Sequence, residues 1–235
     1  MIEGYGLKEF EALDSTNEEA RRLAEAGERG PLWLLAARQS AGRGRQGRTW
    51  YGDHGNLFAT LLIEPKRFKA EWAQLSFVAA IAVAETVAPF APGAALKWPN
   101  DVLIAGQKIA GILLETAGQG LAIGIGVNLA HYPDGTELPA TSLAELGAKP
   151  PSPREALDLL ACHFAQWYDT WDKAGFAPVK EAWLARATGL GSRIRARLPG
   201  REYAGVFEGL DDQGALLLND GGSIRALAAA DIYFE

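Results

Sequence analysis

The apolar positions of this chain change rhythm several times. At 70–90 ("AEWAQLSFVAAIAVAETVAPF") they recur at helical spacing with few polar breaks, which predicts a long, mostly buried helix. At 32–38 ("LWLLAAR") and 56–64 ("NLFATLLIE") they form short runs, which predict buried strands. Residues 95–101 ("ALKWPND") lead into "VLIAGQKIAGILLET", two apolar runs around Gly106-Gln107 that predict a hairpin. A glycine-dotted strand is expected at 120–129 and a loop at 131–143. Within the hairpin, strict alternation puts Lys108, Ala110, Ile112 and Leu114 on one face.

Punctuation sharpens these limits. In "LDSTNEEARRLAEAG" (13–27), Ser15 with Glu18 or Thr16 with Glu19 fits a capping box, and Gly27 fits the stop of the helix. Ser152 and Pro153 open a helix over 152–175, and a shorter helix is expected in "FAPVKEAWLARATG". After Gly189 the chain turns to short strands broken by "PG", "DDQG" and "NDGG", the pattern of a small antiparallel barrel or sheet. The expected organisation is a larger domain over 1–187 and a small one over 188–235. The first is of α+β class, a mixed sheet flanked by helices. No internal repeat or low-complexity segment stands out.

Composition narrows the classes. The 235 residues, 48% of them hydrophobic, are enough for a sizeable core, and the net charge of −6 argues against broad nucleic-acid binding. A single cysteine, Cys162, cannot form an internal disulfide, which points to a reducing, cytoplasmic setting. The first ten residues lack the basic and apolar regions of a signal peptide, and Glu85 and Pro89 interrupt the longest apolar stretch, so no membrane span is expected. His54, His131 and His163 show no metal-binding spacing.

Against that acidic background, "ARQSAGRGRQGRTW" (37–50) holds four arginines, three of which (Arg43, Arg45 and Arg48) alternate with three glycines, and ends in Trp50. Glycines let backbone approach a ligand, and guanidinium forks match phosphate oxygens. A solvated surface loop is the plain alternative. The stretch has no G-x-x-x-x-G-K-[ST], and it precedes a strand where a dinucleotide fingerprint would precede a helix. An RGG-like nucleic-acid segment is a further reading, disfavoured by the acidic chain and the single aromatic residue. A cationic lid over a polyphosphate or acyl phosphate fits the residues best.

"GRGRQGRTW", "KWPND" and "KIAGILLE", in that order and after "DSTNEEA", resemble the biotin–protein ligases over about residues 10–130, and the small C-terminal unit fits as well. Gln46 departs from the motif, which usually carries arginine there. The resemblance implies a catalytic fold like that of class II aminoacyl-tRNA synthetases followed by an SH3-like barrel. It implies activation of biotin by ATP to biotinyl-5′-AMP, with Mg²⁺, and transfer of biotin to a lysine of a biotin carboxyl carrier protein. With a helix starting near residue 15, no room is expected for the DNA-binding domain some members carry, so no DNA binding is expected, and a homodimer is the favoured assembly. A lipoate–protein ligase would share the chemistry.

Residue roles follow from the same resemblance. Ser15, Thr16 and Gln39 match contacts to the biotin ring, although Ser15 and Thr16 also read as plain helix caps. Gly42, Arg43, Arg45, Lys108 and Gly111 match the rest of the biotin site. Arg43, Arg48, Trp50, Lys97, Asn100 and Asn128 match the nucleotide side, and Trp50 could equally anchor its loop to the core. Lys108, Arg45, Arg48, Lys97 and Asp101 are the expected catalytic set, with Asn100 and Asp101 near Mg²⁺.

Overall fold

The computed structural model describes residues 3–234. Seven strands form one sheet: β1 (Gly6–Phe10), β2 (Leu32–Ala36), β3 (Leu57–Ile63), β4 (Ala95–Lys97), β5 (Asp101–Ile104), β6 (Gln107–Ala117) and β7 (Gly120–Val127). Their order is β1-β2-β3-β7-β6-β5-β4, with β1 and β2 parallel and every other pair antiparallel. This is the expected mixed sheet. The edge strand β1 is an addition to the elements legible in the pattern.

The central strands are buried on both sides, which is why β2, β3 and β7 read as unbroken apolar runs. Their faces divide the protein. Trp33 and Leu35 of β2, Leu57, Ala59 and Leu61 of β3, and Ile123 and Ile125 of β7 join the main core. Helices α2 (Leu75–Val87) and α3 (Pro153–Ala174) pack on that face. Twelve of the thirteen residues of α2 are buried, as expected for a helix apolar all round. With the short 3₁₀ turn before it, Lys69–Val87 is long and apolar enough to cross a membrane, so length does not exclude a span; burial marks the segment as a core helix. α4 (Phe176–Leu184) adds Phe176, Val179 and Trp183 to the same core.

The opposite face is only half covered. α1 (Thr16–Glu25) lies over Leu32, Leu34, Leu62, Ala117 and Ala122 through Ala20. The remainder of that face carries polar residues and glycines, and there the cavity forms. α1 ends as expected, with Gly27 at φ +98° and the Gly27 and Glu28 N–H groups donating to Ala24 and Leu23 carbonyls.

Two sequence expectations need correction. The hairpin turn is Ala105-Gly106, both at positive φ, with Ile104 opposite Gln107. A bulge then interrupts β6: Val102 pairs with Ala110 but Leu103 pairs with Lys108, which leaves Ile109 as the extra residue. Ile109, Ala110 and Ile112 all enter the core, and Lys108 moves to the other face with Gly111. The predicted shared face of Lys108, Ala110, Ile112 and Leu114 is thus broken by one residue.

β8 (Arg193–Leu198), β9 (Arg201–Leu210), β10 (Leu216–Asn219), β11 (Ile224–Leu227) and β12 (Asp231–Phe234) form an antiparallel sheet ordered β11-β10-β9-β8-β12. It packs on the larger unit where Trp98 Nε1 donates to the Gly214 carbonyl at 3.0 Å and Gln74 Nε2 donates to that of Asp212 at 3.1 Å.

Candidate active site

A cavity of about 590 Å³ opens on the half-covered sheet face. Its rear wall is made of paired glycines. Gly111 of β6 lies opposite Gly126 of β7, and the Trp50 indole rests on both: a Cβ on Gly126 would stand 2.4 Å from the ring, and one on Gly111 3.1 Å. Gly124, two residues along β7, makes room for Asn17, whose Oδ1 would lie 2.3 Å from a Cβ there. Glycines on one face of this strand therefore trade side-chain volume for a flat seat.

One end of the cavity is a buried polar cluster. The Thr16 N–H and hydroxyl donate to Gln39 Oε1 at 2.7 and 3.0 Å. The Thr60 hydroxyl lies 2.8 Å from Thr16 Oγ1 and 2.7 Å from Asn17 Oδ1, and Asn17 Nδ2 donates to Glu115 at 2.8 Å. Ser15 occupies the N-cap position without a capping bond from its side chain. Glu18 and Glu19, the expected capping-box partners, pair instead with Arg21 and Arg22. Neither Ser15 nor Thr16 makes a capping bond with its side chain, so the capping box does not form although Ser15 keeps the N-cap position, and both residues line the cavity. The segments carrying them are held in register by a parallel bridge between Leu13 and Gln39, which prolongs the β1–β2 pairing.

The other end is cationic. Lys108 Nζ lies 2.6 Å from Asp101 and 5.5 Å above the Trp50 ring. Lys97 is only 9% exposed; burial pushes its ammonium below the ordinary lysine range, with Asp101 opposing the shift and Lys108 adding to it. Burial likewise lowers Arg45, which donates to Asn100 Oδ1 at 3.3 Å. Asn100 Nδ2 donates to the Ile112 carbonyl at 2.6 Å. Lys97, Lys108, Arg45 and Arg48 thus crowd around Asp101 and Asp231, an excess of cations in a partly desolvated space. An anion relieves that crowding.

The glycine–arginine loop folds on itself. Gly44 N–H donates to the Arg48 carbonyl at 2.7 Å, a bridge joins Arg43 to Thr49, and Gln46 takes a left-handed conformation. Each arginine has its own acceptor: Arg43 Glu18 at 2.9 Å, Arg45 Asn100, and Arg48 Asp231 of β12 at 2.6 Å. Gly42 is the one expected site residue that does not line the cavity. It lies beneath the loop, its carbonyl accepting from Trp50 N–H at 2.9 Å, where a Cβ would stand 2.4 Å from the Trp50 carbonyl oxygen. Its role is to let the loop base close.

Asn128 lines the cavity but spends its Nδ2 on the Thr141 carbonyl at 3.0 Å and that of Lys108 at 3.5 Å. Sequence reasoning missed Asn17, Thr60, Gly124 and Gly126, and it missed Asn56, whose Oδ1 accepts from three successive N–H groups at 129–131.

The pattern of the Biotin/lipoate A/B protein ligase family matches residues 9–129, and that of the biotin protein ligase C-terminal domain matches 189–235. The chain belongs to the biotin/lipoate A/B protein ligase family. It is 46% identical over 240 residues to the biotin–[acetyl-CoA-carboxylase] ligase of Paracoccus denitrificans, spanning 94% of this chain and 97% of that one. It is 32% identical over 242 residues to the bifunctional ligase/repressor BirA of Bacillus subtilis, spanning 98% of this chain and 74% of that protein. The biotin protein ligase of Aquifex aeolicus, solved with biotin and ATP, superposes with a TM-score of 0.87 at 28% identity and covers 98% of this chain and 99% of its own. Both match boundaries fall where the described fold changes: the first ends just after β7, the second begins just before β8.

Proposed function

We propose that this cleft condenses biotin with ATP to biotinyl-5′-AMP and pyrophosphate and then transfers biotin to a lysine of a biotin carboxyl carrier protein. The observation that carries the reading is one cavity with two unlike ends on the same glycine-backed wall. Buried hydroxyls and an amide at Ser15, Thr16 and Gln39 suit a neutral, hydrogen-bonding ring. The crowded cations at Lys97, Lys108, Arg45 and Arg48 suit a carboxylate beside phosphates.

In the first step a carboxylate oxygen attacks the α-phosphorus and the bond to the leaving pyrophosphate breaks. Two anions must meet, so the barrier is electrostatic, and fixed cations lower it. Lys108 is assigned to the carboxylate and the bridging oxygen, Lys97, Arg45 and Arg48 to the phosphates, and Arg43 to the closed loop. Trp50 and Asn128 belong to the nucleotide side. In the second step the carrier amine attacks the acyl carbon and AMP leaves, with Asp101 as the proton acceptor.

Asn100 and Asp101 offer one amide oxygen and one carboxylate. That suits Mg²⁺ arriving on ATP phosphates and not a resident all-protein cage, and no cluster of three acidic, histidine or cysteine ligands occurs among the described residues. We take 1–187 as the catalytic domain and 188–235 as an SH3-like unit, in a cytoplasmic homodimer without DNA affinity.

The test is pyrophosphate exchange into ATP by the purified protein. Exchange dependent on biotin supports the reading. Exchange dependent on lipoate would move the assignment to a lipoate ligase, and none with either would leave a binding role for the arginine loop.

Loop closure makes a separate prediction. Phosphates compete with Glu18, Asn100 and Asp231 for the three arginines, and desolvated charge-assisted bonds are the stronger. Tryptic cleavage at Arg43, Arg45 or Arg48 is expected to slow when biotin and ATP are added. Equal cleavage with and without them would remove the lid role.

A further inference from the structure

The loop at 131–143 touches both the edge of β6 and the C-terminal sheet. Its start is fixed by Asn56. Its end runs along Lys108: the Lys108 N–H donates to the Pro139 carbonyl at 2.7 Å, and Thr141 N–H donates to the Lys108 carbonyl at 3.0 Å. This pairing fills a gap. β7 leaves β6 at Ala110, so past the bulge the outer edge of β6 at Lys108 has lost its strand neighbour. Residues 139–141 take its place as a parallel bridge.

Two residues before Pro139, Glu137 reaches across to the C-terminal sheet. Its carboxylate accepts from Arg197 of β8 and from the Tyr233 hydroxyl of β12 at 2.8 Å. The Arg197 guanidinium also stacks on the Tyr233 ring at 4.5 Å, so the two donors brace one another. Arg197 is paired in register with Asp231, the acceptor of Arg48. The chain of contacts thus runs from Arg48 through β12 and β8 to Glu137, and from there through 139–141 to the Lys108 backbone.

We propose that Glu137 is a positioning residue for adenylate formation: clamped by Arg197 and Tyr233, it holds 139–141 against Lys108 and so fixes where the Lys108 ammonium stands. The inference rests on the role assigned to Lys108 above. Glu137 is exposed where the loop borders the cavity, so its replacement leaves the core intact.

The test is a double-mutant cycle read by single-turnover formation of biotinyl-AMP, with biotin affinity and thermal stability measured alongside. Glu137→Gln and, separately, Tyr233→Phe are expected to slow the step about five- to tenfold, the scale of coupling between contacting groups. Biotin affinity should hold, and the melting temperature should move by about a degree, as for a surface change. In a Lys108→Gln background the Glu137 substitution should add less than about twofold, because there is no ammonium left to position. An unchanged rate in Glu137→Gln overturns the proposal. So does an equal slowing with and without the ammonium, or a loss of biotin affinity and stability in proportion to rate. A Lys108→Gln enzyme running at the wild-type rate would instead remove the Lys108 role itself, and the proposal with it.

Discussion

Lys108→Gln is expected to slow biotinyl-AMP formation by roughly 10²–10³-fold, about 2.7–4 kcal/mol, the loss seen when one preorganised donor to developing negative charge is removed. Glutamine keeps most of the length and the polarity, so the cavity stays filled and only the charge goes. The geometry makes the charge worth having. Lys108 Nζ is held by Asp101 at 2.6 Å and lies over Trp50, and its strand is fixed on both sides, by Leu103 of β5 and by 139–141. Little reorganisation is left to occur during the reaction. Biotin binding should weaken less, because Ser15, Thr16 and Gln39 lie at the other end of the cavity. Preformed biotinyl-AMP should bypass part of the defect, since the first barrier is then already crossed. The measurement is single-turnover adenylate formation beside transfer from supplied adenylate. A wild-type rate for the first step would strip Lys108 of the role and shift it to Lys97, the more deeply buried cation.

The site was legible wherever local chemistry marked it. A run of arginines and glycines in an acidic chain asks for an anion, and Lys97, Asn100 and Asp101 stand together because a short strand and a tight turn keep them adjacent. What stayed hidden depended on pairing. Nothing in "KIAGILLE" announces that Ile109 is the extra residue of a bulge, so alternation put Lys108 on one face with Ala110 and Ile112, which the bulge separates from it. Asn17 reads as an ordinary polar residue of a helix start until the fold lays that start over Gly124 of β7. Ser15 and Thr16 looked like caps because a capping box is a local pattern, whereas arginines at 21 and 22 compete for its glutamates. β1 was missed because an edge strand paired on one side carries exposed Lys8 and Glu9 and lacks an apolar run. Gly42 was assigned to the ligand by motif, and only the folded loop shows that its missing side chain makes room for the Trp50 carbonyl.

Gly126→Ala should unseat the loop. The added methyl would stand 2.4 Å from Trp50 Cε2, 2.5 Å from Nε1 and 2.6 Å from Cζ2, inside any real contact distance. The strand cannot yield, because Gly126 is paired with Phe58 on one side and Gly111 on the other. The indole can: its Nε1 has no hydrogen-bond partner, so packing and the Lys108 ammonium over its face are what hold the ring in place. Overpacking of this kind costs roughly 1–3 kcal/mol. Here the cost falls on the seat of the loop more than on the core, which Trp50 does not join. The expected result is faster tryptic cleavage at Arg43, Arg45 and Arg48, together with adenylate formation slowed about tenfold or more, since about 1.4 kcal/mol of misplacement already gives that factor. Trp50→Leu in the same chain removes the clash. The double variant should therefore be more stable than Gly126→Ala alone, a non-additivity that identifies the ring as the clashing partner. It should remain slow, because the flat wall of the nucleotide side is gone. If Gly126→Ala cleaved and reacted like the wild type, the paired glycines would not be the seat of Trp50, and the loop would have to be held by its arginine contacts alone.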